Sequence, residues 1–573
     1  MIAPKLFDLL LWFDSSWTRY WYTLWFAVGF WFLSAILPWQ NQSRWWRWNS
    51  PRVFVFLLFV ALLAGRWPAF GVAHEFNPDE SQFIAGALTM VHHRSLWWVD
   101  AMSSGAISVA PLTLPGWLGW PINYTTGRCL ALFVSWGTLV FTWLAIRTVV
   151  GDRLSRLLVL PMAIWTIFCS YEEFVQYSSE HLPLLLLALA LWLLVSAFTA
   201  TGNVSSRGRL AWAGLILGVL PFTKLQASPL GLALGLFALV GTLRQAASWR
   251  QRVLDACILG GAALGAVLFI GLTILASKSG ADWYHGYISY NLLYTQTRAY
   301  TWSESGDILW FVAHVAWGFP PYLWPSWALI ALGLLWWSRV EGAARWWLPF
   351  AGIFFVAAYF TVGAPGRYSQ HYLQFLVLPS TFLIALLYGG VDAQRRHTKW
   401  LRIGSLLTFL ALGLGPPLHF YYFEARDPHV GKSAEAQAQA LGPVARLLRP
   451  LQRPGDTLAV WGWACRYYVQ TQLPQATHES HSERQVCTQP GPLRVFFTER
   501  YLNDLRQNRP AFFLDAVGKE NFGFTIRAID GHESFPALRE YIAENYRLIG
   551  DLETTRVYCR RDRLPASAVP SPP

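Results

Sequence analysis

Stretches of about twenty residues with almost no charge recur from one end of this chain to the other. A helix of that length crosses the hydrocarbon of a bilayer, where only helices and closed barrels satisfy every backbone N–H and C=O. Spans are expected near 19–39, 52–70, 128–148, 154–170, 181–200, 209–223, 226–243, 252–276, 319–337, 346–363, 372–390 and 401–420, about twelve in all. The first is too long for a signal-peptide core and lacks a small-residue cleavage site, so it reads as a retained span. With 54% of 573 residues hydrophobic and 14% charged, an ordinary soluble enzyme of this length is excluded.

The loops between these runs alternate in charge. One set holds Arg44, Arg47 and Arg52; Arg147, Arg153 and Arg156; Arg207 and Arg209; Arg244, Arg250 and Arg252; Arg339 and Arg345; and Arg395, Arg396, Lys399 and Arg402. Positive charge in short loops marks the cytoplasmic side. The other set, near 71–127, 171–180, 224, 277–307 and 364–371, is longer in total yet poor in basic residues, and is expected to face outward. Twelve crossings put both the 71–127 loop and the C-terminal region on that outer side. The net charge of +12 is mostly this orientation signal, because residues 425–573 hold nineteen Lys/Arg against sixteen Asp/Glu. No nucleic-acid partner is implied.

Two apolar pieces of the 71–127 loop, Phe83-Ile84-Ala85-Gly86-Ala87-Leu88 and Leu114-Pro115-Gly116-Trp117-Leu118-Gly119-Trp120, are too short or too interrupted to span. They are expected to lie in the membrane interface with the apolar face down. Residues 308–317, ahead of the helix-breaking Gly318-Phe319-Pro320-Pro321, are assigned a similar interfacial or re-entrant piece. After Tyr422 the composition changes. A helix over 434–448, strands at 457–461, 494–497 and 511–515, a helix over 536–545 and a strand near 556–558 predict a small α/β domain. The chain thus divides into a membrane module over 1–423, an extracytoplasmic domain over 424–563 and a disordered Pro/Ser/Ala tail over 564–573. Cys129, Cys169, Cys257, Cys465, Cys487 and Cys559 lack the spacing of a thiolate zinc site. The last three share the C-terminal region, where export allows one disulfide.

The stretch His74-Glu75-Phe76-Asn77-Pro78-Asp79-Glu80-Ser81-Gln82 follows directly on the second span. Adjacent carboxylates beside a membrane are costly to desolvate, so they are not incidental. One reading is structural, a carboxylate pair at the N-terminus of the following helix. The other is chemical. Asn77-Pro78-Asp79-Glu80-Ser81-Gln82-Phe83 resembles the first exterior-loop signature of the GT-C glycosyltransferases, notably the lipid A aminoarabinose transferase and protein O-mannosyltransferase relatives. Gly127-Arg128, Gly214-x3-Gly218-x4-Thr223-Lys224, Arg367-x3-His371-Tyr372 and Val460-Trp461-Gly462-Trp463 are similar to further parts of that pattern.

The resemblance implies a GT-C fold in a bacterial inner membrane, with interfacial juxtamembrane helices and the active site outside the cytoplasm. The implied reaction moves a sugar from a polyprenyl-phosphate-linked donor to a lipid, glycan or protein acceptor. Asp79 is then the general base and Glu80 a supporting acid that orients the acceptor or a metal. Glu180, at the mouth of the next span after Glu172 and Glu173, is the implied second catalytic acid. The leaving phosphate needs fixed positive charge, and Lys224, Arg298, Arg367 and His371 offer it at outer span ends. Snorkelling to lipid headgroups is the plainer account of the same cations. No complete ligand set is visible for a divalent metal ion, the one cofactor the resemblance leaves open. His92-His93 and His74-Glu75 read as ordinary interfacial groups. The rival function, a transporter or flippase of lipid-linked glycans, would call for ionisable residues inside the spans and a pseudo-repeat of the two halves.

Overall fold

A computed structural model describes residues 17–36, 49–100, 104–169, 172–199, 203–245, 248–296, 323–367, 369–391, 441–519 and 521–564. The expected span at 401–420, the piece at 308–317, Arg298, the basic residues 395–402 and the tail beyond 564 lie outside these residues. Two compact units are drawn from Met1–Gly71, Cys129–Leu275 and Asn291–Gly431, and from Val72–Arg128, Ala276–Tyr290 and Lys432–Pro573.

The first unit is helical. Among the described residues seven helices are long and apolar enough to cross a membrane: Pro51–Phe70, Tyr124–Val150, His181–Thr199, Leu225–Arg244, Trp249–Ala276, Gly342–Gly363 and Gln370–Gly389. Each falls on an expected span, but the count of twelve is not reached. The run at 154–170 forms helix Asp152–Phe168, 17 residues long with charge in its first turns. That at 209–223 forms Asn203–Thr223, whose start holds Arg207 and Arg209. In the described part of the run at 319–337 the helix is the 12 residues Leu323–Leu334, and in that of 19–39 it is Trp17–Ile36, rich in Trp and Tyr.

Local sequence sets these helices. Pro51 opens its helix at the first position, where no N–H is needed, and Ser50 Oγ accepts from Val53 N–H. Gln370–Gly389 is 94% buried and forms the centre of the unit, whereas Trp249–Ala276 is only 22% buried and keeps an apolar face outward, as lipid contact requires. On helix Asn203–Thr223, a Cβ added at Gly214 or Gly218 would lie 2.2 Å from the carbonyl oxygen of Leu259 or Ala263. Glycine therefore lets this helix approach the backbone of Trp249–Ala276. Inside the apolar core, Arg66 is buried and spends its charge on backbone, Nε donating to Thr166 O at 3.0 Å and Nη1 to Phe174 O at 2.5 Å.

The second unit is built around a four-stranded sheet of order β1-β2-β4-β3, with β1 Leu458–Trp461, β2 Phe512–Asp515, β3 Tyr546–Leu552 and β4 Thr555–Arg560. β1 and β2 are parallel, so their connection must cross over, and it does so through helix Pro492–Asn508. That helix contains 494–497, which the sequence suggested as a strand. The correction has a plain cause: Phe497, Tyr501 and Leu505 recur every four residues and are all buried on one face. β4 closes the sheet by antiparallel pairing with both β2 and β3.

Residues 72–128 belong to this same unit. Helix Pro78–His93 does not present its apolar face outward as expected for Phe83–Leu88. Ile84 and Ala87 are buried, and Ala85 enters the core formed with Val444, Leu458 and Leu514 of the C-terminal region. Gln475 N–H donates to Thr89 Oγ1 at 3.0 Å and Asp100 N–H to His478 O at 2.9 Å, so the loop and the C-terminal domain share hydrogen bonds as well as a core. Leu114, Trp117, Leu118 and Trp120 behave differently. All four are more than half exposed, just ahead of the span Tyr124–Val150. All six cysteines are free thiols.

Candidate active site

The acidic stretch is organised by its helix start. Asn77 is the N-cap of helix Pro78–His93, its Oδ1 accepting from the N–H groups of Asp79 at 3.1 Å and Glu80 at 3.3 Å, and Pro78 fills the first helical position. Glu80 turns back and accepts from Phe76 N–H at 3.0 Å. Arg128 then grips it from both sides, Nε to Oε1 at 2.7 Å and Nη2 to Oε2 at 2.8 Å. The same guanidinium donates to the carbonyls of Val72 and His74 and lies 3.7 Å over the Phe76 ring. Glu80 is 2% exposed. Burial pushes its carboxyl up, with Arg128 working against that. Both oxygens are engaged, so Glu80 fixes the loop, while its neighbour Asp79 remains half-buried at the positive end of the helix.

A third carboxylate, Glu75, which the sequence reading took with His74 for an ordinary interfacial group, sits beside this pair. Glu75 accepts from Ser81 Oγ, and that oxygen lies 2.9 Å from Tyr124 OH. Burial pushes the Glu75 carboxyl up; Ser81 and the Arg466 guanidinium oppose this and the Asp79 charge adds to it. The signal available was its place in the same acidic stretch as Asp79 and Glu80. Arg466 carried no signal in the sequence at all.

A second cluster lies in the helical unit. The turn Ser178-Ser179-Glu180 leads into helix His181–Thr199, and Glu180, fully buried, forms an ion pair with Lys224, which is 4% exposed. Lys224 follows helix Asn203–Thr223 at a break where the backbone turns extended, and its Nζ also donates to Ser179 Oγ at 2.6 Å. His371 Nδ1 is 2.7 Å from Glu173 Oε2, and its Nε2 is 3.8 Å from Glu180 Oε1. Burial alone would raise the Glu180 carboxyl, but Lys224 and His371 hold it at about 2, so it is ionised. The Lys224 ammonium lies 4.9 Å from the Tyr372 ring, and the Arg367 guanidinium lies 4.5 Å over the ring of Tyr294, to which Tyr372 is hydrogen-bonded. Glu180, Lys224, Arg367 and His371, scattered over almost two hundred positions, are thus neighbours through shared partners. Glu173 is one of those partners.

Among the described residues one group has donors placed to share a metal ion, Asp515, His532 and Glu533 at the end of β2. Arg527 stands 3.2 Å from Asp515 and Arg556 pairs with Glu533, so these carboxylates already have counter-charges. His92 and His93 form no metal site with His74-Glu75; His93 instead stacks on Trp98, which stacks in turn on His478.

No family model and no curated protein matches the sequence. Among solved structures, the fold is similar to ArnT from Cupriavidus metallidurans bound to undecaprenyl phosphate, with a TM-score of 0.55 and 13% identity over 91% of this chain and 100% of that one. The apo state of the same protein gives a TM-score of 0.53 and 14% identity at the same coverage. An Archaeoglobus fulgidus oligosaccharyltransferase is more distant, at a TM-score of 0.40 and 11% identity over 82% of this chain and 68% of that one. The chain thus shares the fold of ArnT over most of its length.

Proposed function

We propose that the protein is a membrane glycosyltransferase that takes a sugar from a polyprenyl-phosphate carrier and transfers it to a hydroxyl of a lipid, glycan or protein outside the cytoplasm. The observation that carries this reading is the convergence of Glu180, Lys224 and His371 at helix ends in a fold whose ArnT example holds undecaprenyl phosphate.

In the proposed reaction the acceptor oxygen forms a bond to the anomeric carbon while the bond from that carbon to the phosphate oxygen breaks. Asp79 takes the acceptor proton, and the polyprenyl phosphate leaves with one more negative charge than it had in the donor. Lys224, Arg367 and His371 are the groups proposed to meet that charge. Glu180 holds the Lys224 ammonium in place through the ion pair and Ser179. Arg298 keeps the same proposed role.

The test follows undecaprenyl phosphate released from a radiolabelled undecaprenyl-phosphate sugar. Replacing a general base slows such a step by roughly 10²- to 10⁴-fold, so Asp79→Asn is expected to lose that much in kcat. Lys224→Gln is expected to raise KM for the donor. Release by Asp79→Asn at the wild-type rate would remove Asp79 from the mechanism.

A further inference from the structure

Strand β1 is followed by Gly462, whose φ of 94° favours glycine, and the chain soon enters the short helix Arg466–Thr471, which packs on helix Pro78–His93. Arg466 is thereby delivered to the acidic loop. Its Nη2 is tied to its own domain, 2.7 Å from Asn521 Oδ1 and 3.3 Å from Tyr467 OH. Its Nη1 faces Glu75 Oε1 but stops at 3.8 Å, beyond hydrogen-bond reach. The other Glu75 oxygen is taken by Ser81. Among the described residues, Nη1 and Nε of Arg466 and Oε1 of Glu75 have no hydrogen-bond partner. The side chains are 21% and 17% exposed, largely sheltered yet still open to a ligand.

A donor, Nη1, and an acceptor, Oε1, separated by less than two hydrogen-bond lengths leave room for an oxygen that touches both. The pair is neutral as a whole. A phosphate placed there would be repelled by Glu75, whereas a hydroxyl both donates and accepts and so satisfies each side at once. We propose that Glu75 and Arg466 form a clamp for ring hydroxyls of the donor sugar, supplied jointly by the acidic loop and the C-terminal domain. This rests on the transferase reading above. The donor is favoured over the acceptor because every donor of that class carries several ring hydroxyls, while a lipid or protein acceptor offers as few as one.

The experiment uses the full chain in lipid nanodiscs and measures affinity for bare undecaprenyl phosphate and for the same carrier bearing glucose, mannose or arabinose. Wild type is expected to bind one of the glycosylated carriers more tightly than the bare one. Arg466→Gln and Glu75→Gln are expected to weaken that complex about ten- to a hundredfold, the value of a hydrogen bond to a charged group, and to leave the bare carrier unchanged. Arg466→Lys, which keeps the charge but cannot reach Asn521 and the ligand together, is expected to recover part of the loss. Equal loss for bare and glycosylated carriers, or none for either, overturns the clamp while leaving the transferase reading in place. Failure of wild type to bind any carrier overturns that reading, and the clamp with it.

Discussion

Arg128 ties one of two adjacent carboxylates, Glu80, to the loop that precedes its helix. It holds Glu80 through two short hydrogen bonds in a site closed to water, and removing one partner of such a pair strands the other. Glu80→Ala is therefore expected to destabilise the protein by about 3–5 kcal/mol, seen as a lower thermal unfolding midpoint in detergent, while Asp79→Asn leaves the midpoint nearly unchanged. Identical midpoints for Glu80→Ala and wild type would mean that Arg128 does not depend on it. The Glu180–Lys224 pair gives a pH signature. Its carboxyl is held at about 2 against an ordinary 4.5, so its contribution is complete above about pH 4.5 and is lost as pH falls through the folded value. The gap in unfolding midpoint between wild type and Glu180→Gln is expected to be constant down to that point and to narrow below it. At this scale the sequence revealed Asp79 and Glu80 because the charges are adjacent beside a span. It hid the grip on Glu80, since Arg128 stands 48 residues away, and it hid Arg466, which only the fold brings beside Glu75.

Elements were legible where their period was long and opaque where it was short. Seven spans were readable because apolarity persists for twenty residues, about a bilayer's thickness, and no other local force imitates it. Residues 494–497 were misread because four residues carry too little period to separate strand from helix; Tyr501 and Leu505 supply the missing turn. Helix Pro78–His93 was assigned to the membrane because its apolar face is real, and the surface that covers it is encoded hundreds of residues later. The helix start itself offers a test: Asn77→Ala removes the acceptor for two N–H groups and is expected to cost about 1 kcal/mol, read as a lower unfolding midpoint. At Gly218 the expected effect is steric. Gly218→Val would drive a side chain into the Ala263 carbonyl, forcing helix Asn203–Thr223 away from its neighbour at a cost of about 1–3 kcal/mol. Because Lys224 follows that helix directly, donor KM should rise with the loss of stability, which a kinetic assay below the unfolding midpoint would detect.

For the whole molecule, the loop 72–128, the segment 276–290 and the C-terminal domain fall in one compact unit, as segments sharing one side of a membrane would. Labelling of intact cells with a membrane-impermeant maleimide tests this in a cysteine-free background. Lys278→Cys and Arg509→Cys, both at exposed positions, are expected to react from outside, and Arg153→Cys to react only after the cells are opened. Reaction of Lys278→Cys and Arg509→Cys from opposite sides would break the shared unit. The same unit dictates an order of assembly. Hydrogen bonds between the acidic loop and the C-terminal domain join residues 350 to 400 positions apart, so the loop emerges early in synthesis and waits for that domain to follow. Until then the apolar face of helix Pro78–His93 stays uncovered, a mark by which quality control can recognise an unfinished chain. A chain with every span inserted but its end missing is therefore recognisably incomplete, and competence is tied to completion.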